Sequence, residues 1–163
     1  MALKMNKNEV ETHEYLGFLL GNEEYAIDIL RVKEIRGYTE PTTIADAPPF
    51  VKGVINLRGN IVPIVDLRMR FGLENITYTP FTVVIVLNVM ARTLGIVVDN
   101  VSDVFRLSAQ DIRPAPDFSG IFHSRYIQGL ANVGDKMLIV TDIEALMASS
   151  EMALFDEAKF EKN

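Results

Sequence analysis

Residues 53–68 read GVINLRGNIVPIVDLR, and a related stretch, GLANVGDKMLIVTDIE, recurs at residues 129–144. Aligned without a gap, the two stretches place apolar residues opposite apolar residues almost throughout. The identical pairs include Gly53 and Gly129, Asn56 and Asn132, and Asp66 and Asp142. A tandem duplication is the simplest explanation. Residues kept in both copies are therefore expected to build the scaffold, and residues found in only one copy are candidates for function.

The repeat also covers an upstream segment, because residues 25–35 align with residues 94–104. The first copy is ambiguous by itself, since the spacing of Ile29, Val32 and Ile35 also fits a helix. The second copy carries Asp99-Asn100, a turn signal flanked by β-branched residues. We therefore predict a strand, a tight corner and a second strand in both copies, with Val32 and Val101 at the corners.

Each half of the chain shows about five short strands separated by turns, a pattern typical of small β-barrels. The predicted organisation is a flexible leader (residues 1–13), a first barrel (14–79), a second barrel (80–148), and a C-terminal helix and tail (149–163). Strands of the two halves could interleave within a single domain. Asp66 and Asp142 each precede a short predicted helix, where an aspartate caps the first backbone N–H groups.

The composition excludes several classes of protein. The 163 residues include no cysteine, which excludes disulfides and thiolate metal sites. The longest apolar run, residues 83–87, falls far short of the roughly 20 residues of a membrane helix, and no signal peptide is visible. We expect a soluble cytoplasmic protein without direct membrane insertion. A net charge of -6, with Arg68 and Arg70 as the one short basic cluster, argues against nucleic acid as a partner.

Enzyme motifs are missing from the sequence. His13 and His123 have no metal-ligand spacing, and neither a phosphate-binding glycine loop nor a Gly-x-Ser-x-Gly elbow occurs. We predict no catalytic residue, metal or cofactor. The alternative is a small β-barrel enzyme that uses Asp66 and Asp142 in an acidic cleft between the barrels. That alternative requires clustered carboxylates with perturbed pKa values in a deep pocket.

Arg58 differs from the shared residues because its counterpart in the second copy is Gly134. The scaffold does not need a long cation at this position. Arg58 is either a solvated turn residue or a polar anchor at the rim of a binding surface, where arginine is enriched. Val32 and Val101 likewise either cap the two barrels or together line an apolar groove between them.

Four motifs closely resemble the CheW family, the coupling proteins of bacterial chemotaxis. They are VKEIRG (32–37), NLRG (56–59), PIVDLR (63–68) and GIVVDNVSDV (95–104), and the match extends through IRPAP (112–116) and EMAL (151–154). The resemblance implies two pseudo-symmetric SH3-like five-stranded β-barrels. It also implies a non-enzymatic adaptor that joins the histidine kinase CheA to the cytoplasmic tips of methyl-accepting chemotaxis receptors, and so is recruited to the inner face of the membrane.

The resemblance further implies which residues make these contacts. In the family, a helical receptor hairpin lies against a groove between the barrels. The matching receptor-binding positions are Val32, Glu34, Arg58, Gly95, Val101 and Val104. The positions that would contact the CheW-like regulatory domain of CheA are Arg113, Asp117 and Phe118. Because the two proteins pair as pseudo-equivalents, rings that include further copies of the coupling protein are also implied.

Overall fold

The protein is described here from a computed structural model, which covers residues 11–115 and 126–148. Ten strands are present in these residues: β1 (Thr12–Leu20), β2 (Glu23–Asp28), β3 (Val32–Gly37), β4 (Val51–Leu57), β5 (Asn60–Asp66), β6 (Val83–Val89), β7 (Arg92–Val98), β8 (Asn100–Ser108), β9 (Ile127–Val133) and β10 (Lys136–Thr141). Two short α-helices, α1 (Leu67–Arg70) and α2 (Ile143–Met147), follow β5 and β10. The predicted mainly β fold is confirmed.

Two predicted segments fall largely outside these residues. The C-terminal helix and tail, predicted at residues 149–163, lies outside the described ranges, as do residues 1–10 of the predicted leader. β1 begins at Thr12, so the last two residues of the predicted leader belong to a strand. His13 pairs there with Leu107 of β8.

The strands form two five-stranded sheets with matching topology. Sheet A has the order β8-β1-β2-β10-β9 and sheet B the order β3-β6-β7-β5-β4. Replacing each strand of sheet A by its equivalent in the repeat gives the order of sheet B, as expected for a duplicated unit. Each sheet nevertheless takes strands from both halves of the chain. The division at residues 79 and 80 therefore separates the two copies of the repeat and not the two sheets.

Both faces of the central strands are buried. On β6, Ile85 and Leu87 belong to a large apolar cluster shared by the two sheets, the central cluster. Val84 and Val86 point to the opposite face and belong to a cluster confined to sheet B. This double burial explains why the run around Ile85 is continuously apolar and not alternating.

The predicted strand, corner and strand arrangement is confirmed in both copies, but Val32 and Val101 lie just after the corners, as the first residue of β3 and the second residue of β8. A single 3-10 turn, Ile29–Arg31, connects β2 of sheet A to β3 of sheet B. It is closed by the Asp28 side chain, which accepts a hydrogen bond of 2.9 Å from the backbone N–H of Leu30. In the second copy Asp99 alone separates β7 from β8, and its N–H donates to the carbonyl of Leu19 at 3.0 Å. The two corners are thus the places where the chain crosses between the sheets.

The equivalent glycines Gly53 and Gly129 leave room for a neighbouring stretch of backbone to approach closely. Thr42 forms an isolated bridge with Val54, and Arg113 forms the equivalent bridge with Leu130. A Cβ on Gly53 would lie 2.0 Å from the carbonyl oxygen of Thr42, and a Cβ on Gly129 would lie 2.5 Å from that of Arg113. These bridges cover the outer edges of β4 and β9. The outer edges of β3 and β8 have no strand or bridge partner among the described residues.

Both predicted aspartate caps are confirmed. The carboxylate of Asp66 accepts from the backbone N–H of Arg68 at 3.0 Å, and that of Asp142 accepts from Ala145 at 3.0 Å. α1 ends at Arg70, and Gly72 follows with a φ of 78° that favours glycine. No helix within the described ranges is long and apolar enough to span a membrane.

Candidate functional site

The two uncovered edge strands, β3 and β8, each present two aliphatic residues on the face turned to the central cluster. Cross-strand partners in a sheet share a face. Val32 pairs with Leu87 and Ile35 pairs with Ile85, and both partners belong to the central cluster. The equivalent pairs on sheet A join Val101 to Phe18 and Val104 to Leu16. The aliphatic residues therefore form two related walls, and we call the surface between them the inter-sheet groove.

The groove walls lie at the surface but rest on the core. Val32 and Val101 are half-buried and pack against the central cluster. Ile35 and Val104 are 42% and 45% exposed, and Leu30, in the 3-10 turn before β3, is 80% exposed. Exposed aliphatic side chains that extend a buried cluster are typical of a protein-binding surface. Of the two interpretations of the valine corners, this geometry favours the groove.

Ile35 and Leu30 were not identified from the sequence as site residues. Leu30 lies in the predicted corner, and Ile35 lies in the strand predicted after it. Strict alternation would place Ile35 on the face opposite to Val32, and only the register shift between Val32 and Glu34 brings both residues to the face of Leu87 and Ile85. Leu30 is recognised as a candidate site residue only from the solvent exposure of its side chain in the structure.

Arg58 lies at the tip of the hairpin between β4 and β5. Arg58 and Gly59 have φ values of 52° and 89°, as the central residues of a type I′ turn require. The turn is closed by Asn56, whose side-chain oxygen accepts from the N–H of Gly59 at 2.8 Å. The predicted turn role of Asn56 is therefore confirmed. The Arg58 side chain is 63% exposed.

The charged residues of the predicted site form a small network on the face of β3 that is turned away from the groove. Arg58 Nη2 donates to both carboxylate oxygens of Glu34, at 3.1 and 3.2 Å, and Arg36 Nη1 lies 3.4 Å from the same carboxylate. Partial burial acts to raise the pKa of Glu34, but the hydrogen bonds and positive charges of Arg58 and Arg36 outweigh it and hold the pKa below its ordinary value. Glu34 pairs with Val86, so it shares the face of β3 opposite to Val32 and Ile35.

The predicted receptor-binding residues thus fall into three groups. Val32, Val101 and Val104 line the groove, whereas Glu34 and Arg58 lie together on the other face of the same edge strand. Gly95 is buried in the middle of sheet B and exposes no surface to the groove. A Cβ on Gly95 would lie 2.7 Å from Val84 Cγ1 and 2.8 Å from Ile64 Cδ1, so this glycine permits close packing beneath the site.

The structure describes one of the three predicted kinase-binding residues. Asp117 and Phe118 lie outside the described ranges. Arg113 is exposed, and its backbone is fixed by the bridge to Leu130, with two hydrogen bonds of 2.8 Å. Leu130 also lines an apolar cavity of about 240 Å³ together with Tyr25 and Phe71. Arg113 is therefore held rigidly beside apolar surface.

The two aspartates considered for acid and base chemistry have structural partners. Asp66 is fully buried, accepts from Arg68 Nε and Nη2 at 2.9 Å each, and accepts from the hydroxyl of Tyr78 at 2.6 Å. Asp142 caps α2. Arg68 and Arg70 are only 2% and 6% exposed, so the short basic cluster in the sequence is not a surface patch. Within the described ranges no group of three or more potential ligands is placed to hold a metal ion.

Comparison with known proteins agrees with this architecture. A family model of the CheW-like domain matches residues 14–151. The chain is 56% identical to the chemotaxis protein CheW of Klebsiella aerogenes, over 91% of this chain and 89% of that protein. It is 37% identical to the chemotaxis protein CheW of Rhizobium meliloti, over 85% of this chain and 89% of that protein. The crystal structure of the scaffolding protein TtCheW from Thermoanaerobacter tengcongensis superposes with a TM-score of 0.78 at 28% identity, covering 91% of this chain and 96% of that one.

Proposed function

The chain belongs to the CheW-like family of chemotaxis scaffold proteins, which are not enzymes, and we propose that it couples methyl-accepting chemotaxis receptors to the histidine kinase CheA. The observation that carries the proposal is the inter-sheet groove. Two edge strands from different sheets present equivalent pairs of aliphatic side chains, and their outer edges have no partner in the described residues. A groove of this kind fits an amphipathic helix or a helical hairpin.

Arg58 supplies the polar part of the proposed receptor contact. Its Nη2 is engaged with Glu34, and its other guanidinium nitrogens have no partner in the described part of the chain. Planar guanidinium donors suit carbonyl and carboxylate oxygens, such as those at the tip of a helical hairpin. Glu34 orients the guanidinium and leaves it exposed. The apolar walls then supply contact area, and Arg58 fixes the register.

The proposed kinase contact lies on a separate surface around Arg113. The bridge to Leu130 holds this residue next to the apolar lining of the cavity, and the family resemblance adds Asp117 and Phe118 to the same surface. Pairing with the CheW-like regulatory domain of CheA would extend into rings, which can include further copies of this protein. With separate surfaces for the two partners, the protein can hold both at once in the cytoplasm beneath the membrane.

Control of the kinase needs no chemistry in this arrangement. The scaffold contacts receptor and kinase together. If its contacts differ in free energy between two receptor states, that difference shifts the equilibrium of the kinase. The individual contacts can be weak, because assembly into an array raises the effective concentration of each partner. Receptor control should therefore depend strongly on the presence of the scaffold.

Reconstitution tests the proposal directly. The purified protein is added to CheA and to receptor signalling fragments, and autophosphorylation is followed with and without attractant. We expect the kinase to come under receptor control only when the protein is present. Arg58→Ala should weaken binding of the receptor fragment and leave CheA binding intact, and Arg113→Ala should do the reverse. A kinase that remains insensitive to the receptor, or equal loss of both partners in Arg58→Ala, would contradict the assignment.

A further inference from the structure

Each of the two short helices makes an ion pair with a corner, and the charges of helix and corner are reversed between the two pairs. Arg68 in α1 and Glu144 in α2 occupy the same position of the repeat, two residues after the capping aspartate. Arg68 Nη1 lies 2.8 Å from Asp99 Oδ1, and the Glu144 carboxylate pairs with the guanidinium of Arg31. Each pair joins a helix of one copy to the corner of the other copy. The connection from helix to corner is kept between the copies while the sign of each partner is reversed. The corner partners are neighbours in the alignment and not equivalents, since Arg31 aligns with Asn100 and Asp99 with Leu30.

Both corners lead directly into a wall of the inter-sheet groove. Arg31 is the last residue of the 3-10 turn and precedes Val32, the first residue of β3. Asp99 is followed by Asn100, the first residue of β8, and then by Val101. Because β3 and β8 are edge strands, each is held in its sheet on one side only. A contact at the corner therefore restrains the start of each groove wall.

The two ion pairs differ in burial. The Arg68 side chain is 3% exposed and also donates to Asp66 and to the carbonyl of Thr77, while Asp99 accepts a second bond of 2.7 Å from the N–H of Gly21. The buried arginine and these further bonds hold the pair in place, although the Asp99 side chain is itself 37% exposed. The Arg31 and Glu144 side chains are 39% and 45% exposed, so their pair is screened by salt. The wall on β8 is thus held by the more extensively bonded pair, whereas the wall on β3 is held by a pair whose strength depends on salt.

We propose that Arg31–Glu144 and Arg68–Asp99 are positioning pairs that set the separation of the groove walls. Arg31 and Glu144 act through the start of β3, and Asp99 acts through the start of β8. The adjustable pair, Arg31–Glu144, tunes the affinity for the helical partner. This inference rests on the proposed receptor contact, but the positioning itself can be measured without a receptor.

Charge reversal tests the adjustable pair. Arg31→Glu and Glu144→Arg each place like charges together, and the double variant restores opposite charges. We expect each single variant to bind the receptor fragment about fivefold more weakly, as the loss of an exposed pair predicts, with unchanged CheA binding. The double variant should recover most of the affinity. Failure of the double variant to recover would show that Arg31 or Glu144 contacts the partner itself, and would overturn the proposal.

A distance measurement separates this proposal from the receptor assignment. The chain has no native cysteine, so spin labels can be attached uniquely at Lys33→Cys and Asp103→Cys, two exposed positions on β3 and β8. Electron resonance distances should broaden or shift in Arg31→Glu and return in the charge-swapped double variant. The difference in distance between Arg31→Glu and the unsubstituted protein should diminish at high salt, where the Arg31–Glu144 pair is already weakened. Identical distance distributions in all variants would refute positioning, whether or not the receptor binds.

Discussion

Arg58→Gly should remove the proposed receptor anchor while leaving the protein at least as stable as before. The substitution gives the first copy of the hairpin the residue that the second copy already has. Arg58 and Gly134 both occupy left-handed backbone, with φ values of 52° and 61°. Glycine adopts this conformation without the steric conflict that a Cβ creates. The substitution therefore removes the arginine side chain while the backbone geometry of the turn is kept.

The expected change in stability follows from two opposing effects. Left-handed backbone costs a residue with a Cβ about 1–2 kcal/mol. Glycine also makes the unfolded chain more flexible, and the larger entropy of the unfolded state offsets about 0.4–1 kcal/mol of this gain. The exposed contact with Glu34 is screened by solvent and contributes little. A small net gain remains, on the order of 0.5 kcal/mol, which raises Tm by about 1–2 °C for a chain of this size.

The measurement compares Arg58→Gly with Arg58→Ala and Gly134→Arg by thermal denaturation and by binding to a receptor fragment. Both Arg58 variants should lose affinity roughly tenfold, since a hydrogen bond from a charged group is removed. Arg58→Ala keeps the strained backbone and should show no gain in Tm. Gly134→Arg introduces that strain in the second copy, where a Cβ meets no atom within 4 Å, and should lower Tm with receptor binding unchanged.

Two results would refute this reasoning. A fall in Tm of several degrees in Arg58→Gly would mean that the arginine holds the hairpin, so that lost binding reflects lost structure. Full receptor affinity in Arg58→Gly would mean that the side chain is only solvated. Left-handed backbone occurs elsewhere without glycine, at Met90 and Ala91 for example, so strain by itself does not identify the site.

Three further predictions concern other parts of the molecule. Replacing Met90 and Ala91 by Asn and Gly supplies the residues preferred in a type I′ turn and should raise stability by about 1 kcal/mol in denaturant titrations, with receptor binding unchanged as the control. Gly129→Ala drives a Cβ to within 2.5 Å of the Arg113 carbonyl oxygen, and should weaken CheA binding more than receptor binding in paired titrations. The pKa of Glu34 is held down, so its charged contact with Arg58 should persist as pH falls below the ordinary glutamate range and be lost only when pH passes the lowered pKa. Carbon NMR titration should show that the pKa of Glu34 rises in Arg58→Ala.

The sequence was sufficient for the repeat, the corners and the caps because all of these depend on local chemistry. Asp66 and Asp142 precede helices, and Asp99-Asn100 is a turn signal that settled the reading of the ambiguous segment around Ile29. Arg68 is a residue whose environment local chemistry does not determine. Its partner Asp99 is 31 residues away, so a residue that looked like part of a basic cluster is buried in an ion pair. Its burial depends on strands from different halves of the chain meeting in the fold.

Which strands are exchanged between the two halves could not be predicted, for the same reason. Hydrophobic alternation gives the faces of a strand but not the identity of its neighbour. β1 and β6 are equivalent, and nothing in their patterns states that each pairs with an edge strand from the other copy. The groove is a consequence of this exchange. Val32 and Val101 are far apart in the chain, and they pack against one cluster because both corners cross between the sheets.

Pseudo-symmetry also gives a reason for the proposed receptor contact to use a residue that differs between the copies. Val32 and Val101 are equivalent, so the apolar walls alone would accept a helical hairpin in two orientations related by the repeat. Arg58 is bonded to Glu34 on the other face of the strand that carries one wall, and Gly134 holds the equivalent position in the other hairpin. A polar anchor on one side only makes the two orientations unequal in free energy. Loss of Arg58 should therefore reduce affinity and also allow the receptor to bind in the reversed orientation, which would disconnect binding from kinase control.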